Sequence, residues 1–137
     1  MKPIAIGLGL VCLAVPALAQ DAAPDIQALM ARYVQLFDKG DAAGLAKDVY
    51  VSANEAALTS NFRELRADSF GRLDVYDVKL CPVAGDRTRA LMTYARIYTF
   101  GGKMDDDEAK LFDLVKTPDG WRIASESETR FDAALSC

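Results

Sequence analysis

The sequence predicts an α+β domain, with N-terminal helices packed on a curved, mainly antiparallel four-stranded sheet. Three observations carry this. Before Gly71 the apolar residues recur at helical spacing, after it they alternate as in strands, and every junction between the alternating segments holds turn residues.

Residues 1–19 read as a secretory signal peptide. Lys2 is the positive end, Ile4 to Val15 an uncharged apolar run, Pro16 a break and Ala17-Leu18-Ala19 a small-x-small cleavage pattern, which places the cut before Gln20. The run is shorter than the about 20 apolar residues that span a bilayer. No membrane anchor is therefore expected after cleavage, and the domain at 20–137 is expected to be periplasmic or secreted. Cys12 leaves with the signal, since Leu10-Val11 before it is not the small-residue approach of a lipid-modified cysteine.

The helices come first. Ile26, Leu29, Met30, Tyr33, Val34 and Phe37 form one apolar stripe behind Pro24-Asp25 and ahead of Lys39-Gly40. Asp41 is placed to cap a second, short helix reaching about Ala46, and Leu58, Phe62 and Leu65 predict a third over about 54–68. Four strands follow, near 73–83, 89–100, 108–117 and 121–128. They are separated by Ala84-Gly85-Asp86, by Gly101-Gly102 with an acidic run, and by Thr117-Pro118-Asp119-Gly120. Consecutive strands joined this way make an antiparallel meander.

Composition narrows the chemistry. Sixteen basic and twenty acidic residues give a net charge of −4, which becomes −5 once Lys2 is removed, and there is no histidine. Nucleic acid is not an expected partner, because its binders carry a basic stripe. The commonest proton shuttle and metal ligand is missing. No Gly-rich phosphate loop, Ser-His-Asp set or His/Cys cluster is present, so no cofactor or metal is expected. The run Asp105-Asp106-Asp107-Glu108 lacks the spaced pattern of a calcium loop and reads as a solvated turn.

Cys81 and Cys137 remain after export, into a compartment that oxidises thiols. The expectation is one structural bridge tying the chain's last residue to its middle, with an intermolecular disulfide and two free thiols as the alternatives.

Side-chain alternation sorts the strands into two faces. Pairing Phe100 with Glu108, and Thr117 with Trp121, gathers Leu91, Thr93, Ala95, Ile97, Leu111, Val115, Trp121 and Ile123 on one face. That face holds a single charge, Asp113, and is the one expected to lie under the helices. A carboxylate there loses hydration and becomes either a buried donor poised for acid-base work or a structural anchor for Ser125 or Thr93. The other face collects Met92, Tyr94, Arg96, Tyr98, Phe100, Phe112 and Leu114, edged by Lys110, Lys116, Arg122 and Glu126. Its aromatic and charged mixture predicts either a homodimer through the outer sheet face or a surface covered by long side chains.

The segments Ala31-Arg32-Tyr33-Val34 through Lys39-Gly40-Asp41-Ala42-Ala43-Gly44-Leu45, and Leu111-Phe112-Asp113-Leu114-Val115-Lys116 through Asp119-Gly120-Trp121-Arg122-Ile123, together resemble the nuclear transport factor 2-like superfamily. This is the cone-shaped fold of ketosteroid isomerases and SnoaL-like cyclases, and the resemblance spans nearly all of 20–137. It implies an internal cavity. In ketosteroid isomerases a first-helix tyrosine and a protonated strand aspartate hold an enolate oxygen, and Tyr33 and Asp113 fall near those positions. The general base belongs where this chain reads Asn54-Glu55-Ala56-Ala57-Leu58, and Glu55, the nearest carboxylate, is out of step.

The expected function is therefore an exported domain that binds a small apolar ligand without catalysis, with Tyr33, Thr93, Asp113, Trp121 and Ser125 as lining. Two alternatives stand beside it. One is an isomerase- or cyclase-like enzyme using Asp113, Tyr33 and Glu55. The other is a homodimeric interaction module with a filled cavity.

Overall fold

The computed structural model describes residues 22–135. The segment read as a signal peptide, the expected cut before Gln20, and Cys137 lie outside the described residues.

Helix α1 covers 22–39, α2 Ala42–Asp48 and α3 Glu55–Ala67. The stop between α1 and α2 is chemical. Gly40 takes φ +66, the left-handed conformation that ends helices, and Asp41 N–H reaches back to the Leu36 carbonyl at 2.9 Å. A Cβ at Gly40 would sit 2.7 Å from the Arg66 guanidinium, which itself donates to the Lys39 carbonyl. Asp41 then caps α2 by accepting from Gly44 N–H at 2.8 Å, and Asn54 caps α3 by accepting from Ala57 N–H at 3.0 Å. None of the helices among the described residues is long and apolar enough to cross a membrane.

The strands are β1 Phe70–Ala84, β2 Arg87–Tyr98, β3 Glu108–Thr117 and β4 Gly120–Thr129, and they form one antiparallel sheet in the order β1-β2-β3-β4. The sheet is curved and not closed into a barrel. Both tight turns lie where the sequence puts them: Ala84 pairs with Arg87 across Gly85-Asp86, and Thr117 pairs with Gly120 across Pro118-Asp119, with Gly120 at φ +104. The expected pairing of Thr117 with Trp121 is off by one residue, since Trp121 lies opposite Lys116. The middle junction differs. Tyr94, not Phe100, lies opposite Glu108, and Phe100 is in the connecting loop, 76% exposed, stacked on Tyr98. Register has slipped by an even number of residues, so faces on β2 and β3 keep their partners.

The helices cover the opposite face from the one expected. Tyr33, Leu45, Phe62, Met92, Tyr94, Phe112, Leu114, Trp121 and Ile123 belong to one buried core. The aromatic face of β2 and β3, assigned to a homodimer contact, is thus the inner face, and Asp113 points away from the helices. The cause is a bulge in β4. Asp113 pairs with Ser125 but Leu114 pairs with Ile123, leaving Ala124 as an extra residue that switches the pleat. Trp121 and Ile123 therefore pack with Leu114 and Phe112, not with Asp113. The even-numbered face gains two large apolar residues, and the odd-numbered one loses the pair that made it look like the core.

The 49–51 segment joins the sheet edge. Val51 N–H donates to the Ile123 carbonyl at 2.9 Å and Ile123 N–H to the Val49 carbonyl at 2.8 Å, a short parallel bridge that swings Tyr50 over the inner face of β4. Cys81 is fully buried on β1.

Candidate functional site

The candidate site lies where α1 and α3 roof the inner face of the sheet. Tyr33 is fixed from three sides by rings. Phe37 lies 5.6 Å away, Phe112 meets it edge-on at 5.2 Å and Tyr50 edge-on at 6.4 Å. Phe37 in turn packs edge-on against Phe62 at 5.1 Å and Phe70 at 5.7 Å, which locks α1 to α3 and to the start of β1. Asp38, the next residue, accepts from Leu73 N–H at 2.8 Å and ties the same helix turn to β1.

Into this aromatic wall the inner face of β3 and β4 projects charged groups. Lys110 Nζ pairs with Glu126 at 2.9 Å, donates to the Tyr33 hydroxyl at 3.3 Å and sits 5.9 Å and 5.8 Å from the Tyr33 and Phe37 ring centroids. The Tyr50 hydroxyl donates to the other oxygen of Glu126. The four side chains Tyr33, Lys110, Glu126 and Tyr50 thus form one continuous polar chain inside the roofed space. Beyond it, Arg96 pairs with Glu108 at 2.8 Å and also with Asp105 in the loop.

Burial and the neighbouring carboxylate make both inner phenols poor acids. Desolvation pushes the Tyr33 hydroxyl well above the ordinary phenol range, and the Glu126 charge adds to it. Tyr50 is driven upward mainly by burial, with the Tyr33 and Glu126 neighbours reinforcing it. Tyr94 is raised too, again chiefly by desolvation. All three are neutral hydroxyls at neutral pH, able to donate and accept.

Between the aromatic wall and the charged strands is a cavity of about 110 Å³, bounded by Tyr33, Phe37, Leu73 and Tyr94 within and by Asn61 and Glu128 towards its mouth. An apolar cavity of about 150 Å³ holds benzene, so this smaller space with its open mouth takes one ring at most and is far below the size of a steroid. A shallower, more open groove of about 350 Å³ runs between 50–58 and β4, and Tyr50 and Glu126 form its inner wall. Among the described residues no cluster of acidic, cysteine or histidine side chains is arranged to hold a metal.

The residues singled out from sequence separate. Tyr33 lines the cavity, whereas Trp121, expected to line it, is buried in the core and does not. Asp113 and Thr93 are on the outer face. Asp113 is about half exposed, pairs with Arg89 at 3.4 Å and accepts from the Ser125 hydroxyl at 3.0 Å. The expected contact of Asp113 with Ser125 is present, but on the solvent side. Ser125 also borders the open groove. Glu55 is exposed in the first turn of α3. Tyr33 and Asp113 thus lie on opposite faces of the sheet and do not act on one ligand. Lys110, Glu126 and Arg96 were grouped on one face by alternation alone, and that grouping holds. Asn61 and Glu128 were not singled out, although Asn61 lies on the Leu58, Phe62 and Leu65 side of α3 and Glu128 shares the face of Glu126 on β4, so spacing alone could have found both. Tyr50 carried no signal, because it reaches the site through the bridge between the 49–51 segment and β4, which periodicity does not encode.

No protein-family model matches the sequence. No curated protein matches it either. Solved structures do. A nuclear transport factor 2-like protein with a cystatin-like fold from Novosphingobium aromaticivorans is similar over 91% of this chain and 92% of its own, with a TM-score of 0.65 and 24% identity. A protein of unknown function from Mycobacterium tuberculosis is similar over 82% of this chain and 74% of its own (TM-score 0.59, 24% identity). A putative aromatic ring hydroxylase from Novosphingobium aromaticivorans is similar over 80% and 94% (TM-score 0.56, 17% identity). The chain has the nuclear transport factor 2-like, cystatin-like fold, in its α+β form with an open four-stranded sheet.

Proposed function

We propose that this chain is an exported binding domain that holds a small, single-ring ligand in the roofed cavity and does not transform it. The observation that carries the reading is the cavity itself: a space of about 110 Å³ with Tyr33, Phe37 and Tyr94 as its aromatic wall. A ring-lined recess of this size favours a flat body by dispersion and area burial. The polar rim makes the fitting ligand less purely apolar than the sequence suggested.

Binding is favoured over catalysis by the separation of the three candidate groups. An enolising site needs its base and its oxyanion donors around one substrate atom. Here Tyr33 faces the cavity, Asp113 the opposite side of the sheet, and Glu55 the solvent. The similarity to a putative aromatic ring hydroxylase supports a ring-shaped ligand for this fold, not a hydroxylation. Export through residues 1–19 and a bridge from Cys81 to Cys137 are part of the same proposal, and a bridge would restrain the chain's end against β1.

The test is native mass spectrometry of the protein recovered after export, beside a Leu73→Trp variant that fills the cavity. The reading expects a bound small molecule in the wild type that the variant lacks, and a polypeptide mass starting at Gln20. An empty wild-type protein that no single-ring compound stabilises against heat would overturn it.

A further inference from the structure

The inner face carries one more carboxylate than it has cations to match. Lys110 stands directly opposite Glu128 in the β3–β4 register, with Glu126 as the next inward residue on β4. Its ammonium goes to Glu126. Arg96 is taken by Glu108 and Asp105. Around the cavity the cations Arg96 and Lys110 are thus both committed, and the Glu128 carboxylate makes no hydrogen bond or ion pair among the described residues. Nor do the Asn61 amide and the Tyr94 hydroxyl, both of which line the same space.

These three groups share one chemical property. A carboxylate, an amide oxygen and a neutral phenol oxygen all accept hydrogen bonds. An ammonium offers three donors and a positive charge. The aromatic wall suits the same ligand, since Tyr33 and Phe37 already flank one ammonium, that of Lys110. We propose that the cavity takes a single-ring compound carrying a protonated amine, its ring against Phe37 and Tyr94 and its ammonium at the mouth on Glu128, Asn61 and the Tyr94 hydroxyl. This rests on the binding reading above and adds to it the charge of the ligand.

A neutral ring needs only the cavity, whereas a ring acid would bring a second negative charge beside Glu128. The order of affinity is therefore amine, then alcohol, then acid.

Benzylamine, benzyl alcohol and benzoate, titrated into the protein starting at Gln20 by calorimetry at low salt, separate the ligand's charge from its binding. The inference expects benzylamine to bind at least tenfold more tightly than benzyl alcohol and benzoate to bind least. Glu128→Gln should erase the preference for benzylamine over benzyl alcohol. Glu128 is exposed at the mouth, so this variant is expected to fold. If benzyl alcohol binds as well as benzylamine, or Glu128→Gln leaves the preference intact, the charge assignment is overturned and the binding reading survives. If none of the three binds, both fall.

Discussion

Lys110 reaches diagonally across β3 and β4 to Glu126, 2.9 Å away, although Glu128 is its direct neighbour in the strand register. That choice ties the polar chain to Tyr33 and Tyr50 and leaves a carboxylate facing the cavity. Several consequences can be measured.

Both members of the Lys110–Glu126 pair are mostly buried, with side chains 16% and 24% exposed. Removing one partner leaves the other charged and poorly hydrated. Lys110→Met is expected to cost about 2 kcal/mol of unfolding free energy in a urea titration, below the 3–5 kcal/mol of a fully buried pair. Adding Glu126→Gln to it should recover part of that loss, and strict additivity would mean that the two groups do not interact.

The raised phenols set the alkaline limit of the fold. In the unfolded chain tyrosine ionises near pH 10, whereas Tyr33, Tyr50 and Tyr94 are held protonated above it. Above that pH the unfolded state has released protons that the folded state keeps. Stability is therefore fully present below about pH 10 and falls as pH rises, by up to about 1.4 kcal/mol per pH unit for each such group. Denaturant midpoints measured from neutral to strongly alkaline pH should show this decline, and Tyr33→Phe should make it shallower.

Asp38 tests the link between α1 and β1. Its carboxylate accepts from Leu73 N–H, yet desolvation outweighs that bond and raises its pKa above the ordinary carboxylate value. Asp38→Asn keeps an acceptor and sheds the desolvated charge, so it should alter stability by less than about 0.5 kcal/mol. Asp38→Ala removes the acceptor and should cost about 1–2 kcal/mol, read from the same chemical denaturation.

Asp113 decides which face is inside. With Arg89 it forms a pair in which both side chains are nearly half exposed. Asp113→Asn should therefore change stability by at most about 0.5 kcal/mol and leave benzyl alcohol affinity untouched. An aspartate under the helices would give a much larger effect on both.

The helix stripe from Ile26 to Phe37, the Asp41 cap and the two tight turns were legible in the sequence because each rests on local chemistry: spacing, a side-chain acceptor, or a glycine at positive φ. The meander order followed from those turns. What alternation does not decide is which of two mixed faces meets the helices, since Leu91 and Met92 are both apolar and both buried. Trp121 and Ile123 would have decided it, but the unpaired Ala124 shifts their parity relative to Asp113. A single extra residue thus moved the candidate acid from the core to the surface. Tyr33 survived the change because helix periodicity, not sheet parity, placed it. Tyr50 was invisible for another reason: its position depends on a two-bond bridge between a loop and the edge of β4.

The central claim is that the roofed cavity is the binding site. Backbone amide NMR of the mature protein titrated with benzylamine tests it most directly. The account predicts saturable shifts centred on Asn61, Leu65, Leu73 and Tyr94, with Thr93, Asp113 and Ser125 little changed. Shifts centred on those three outer-facing residues, or none that saturate, would contradict it.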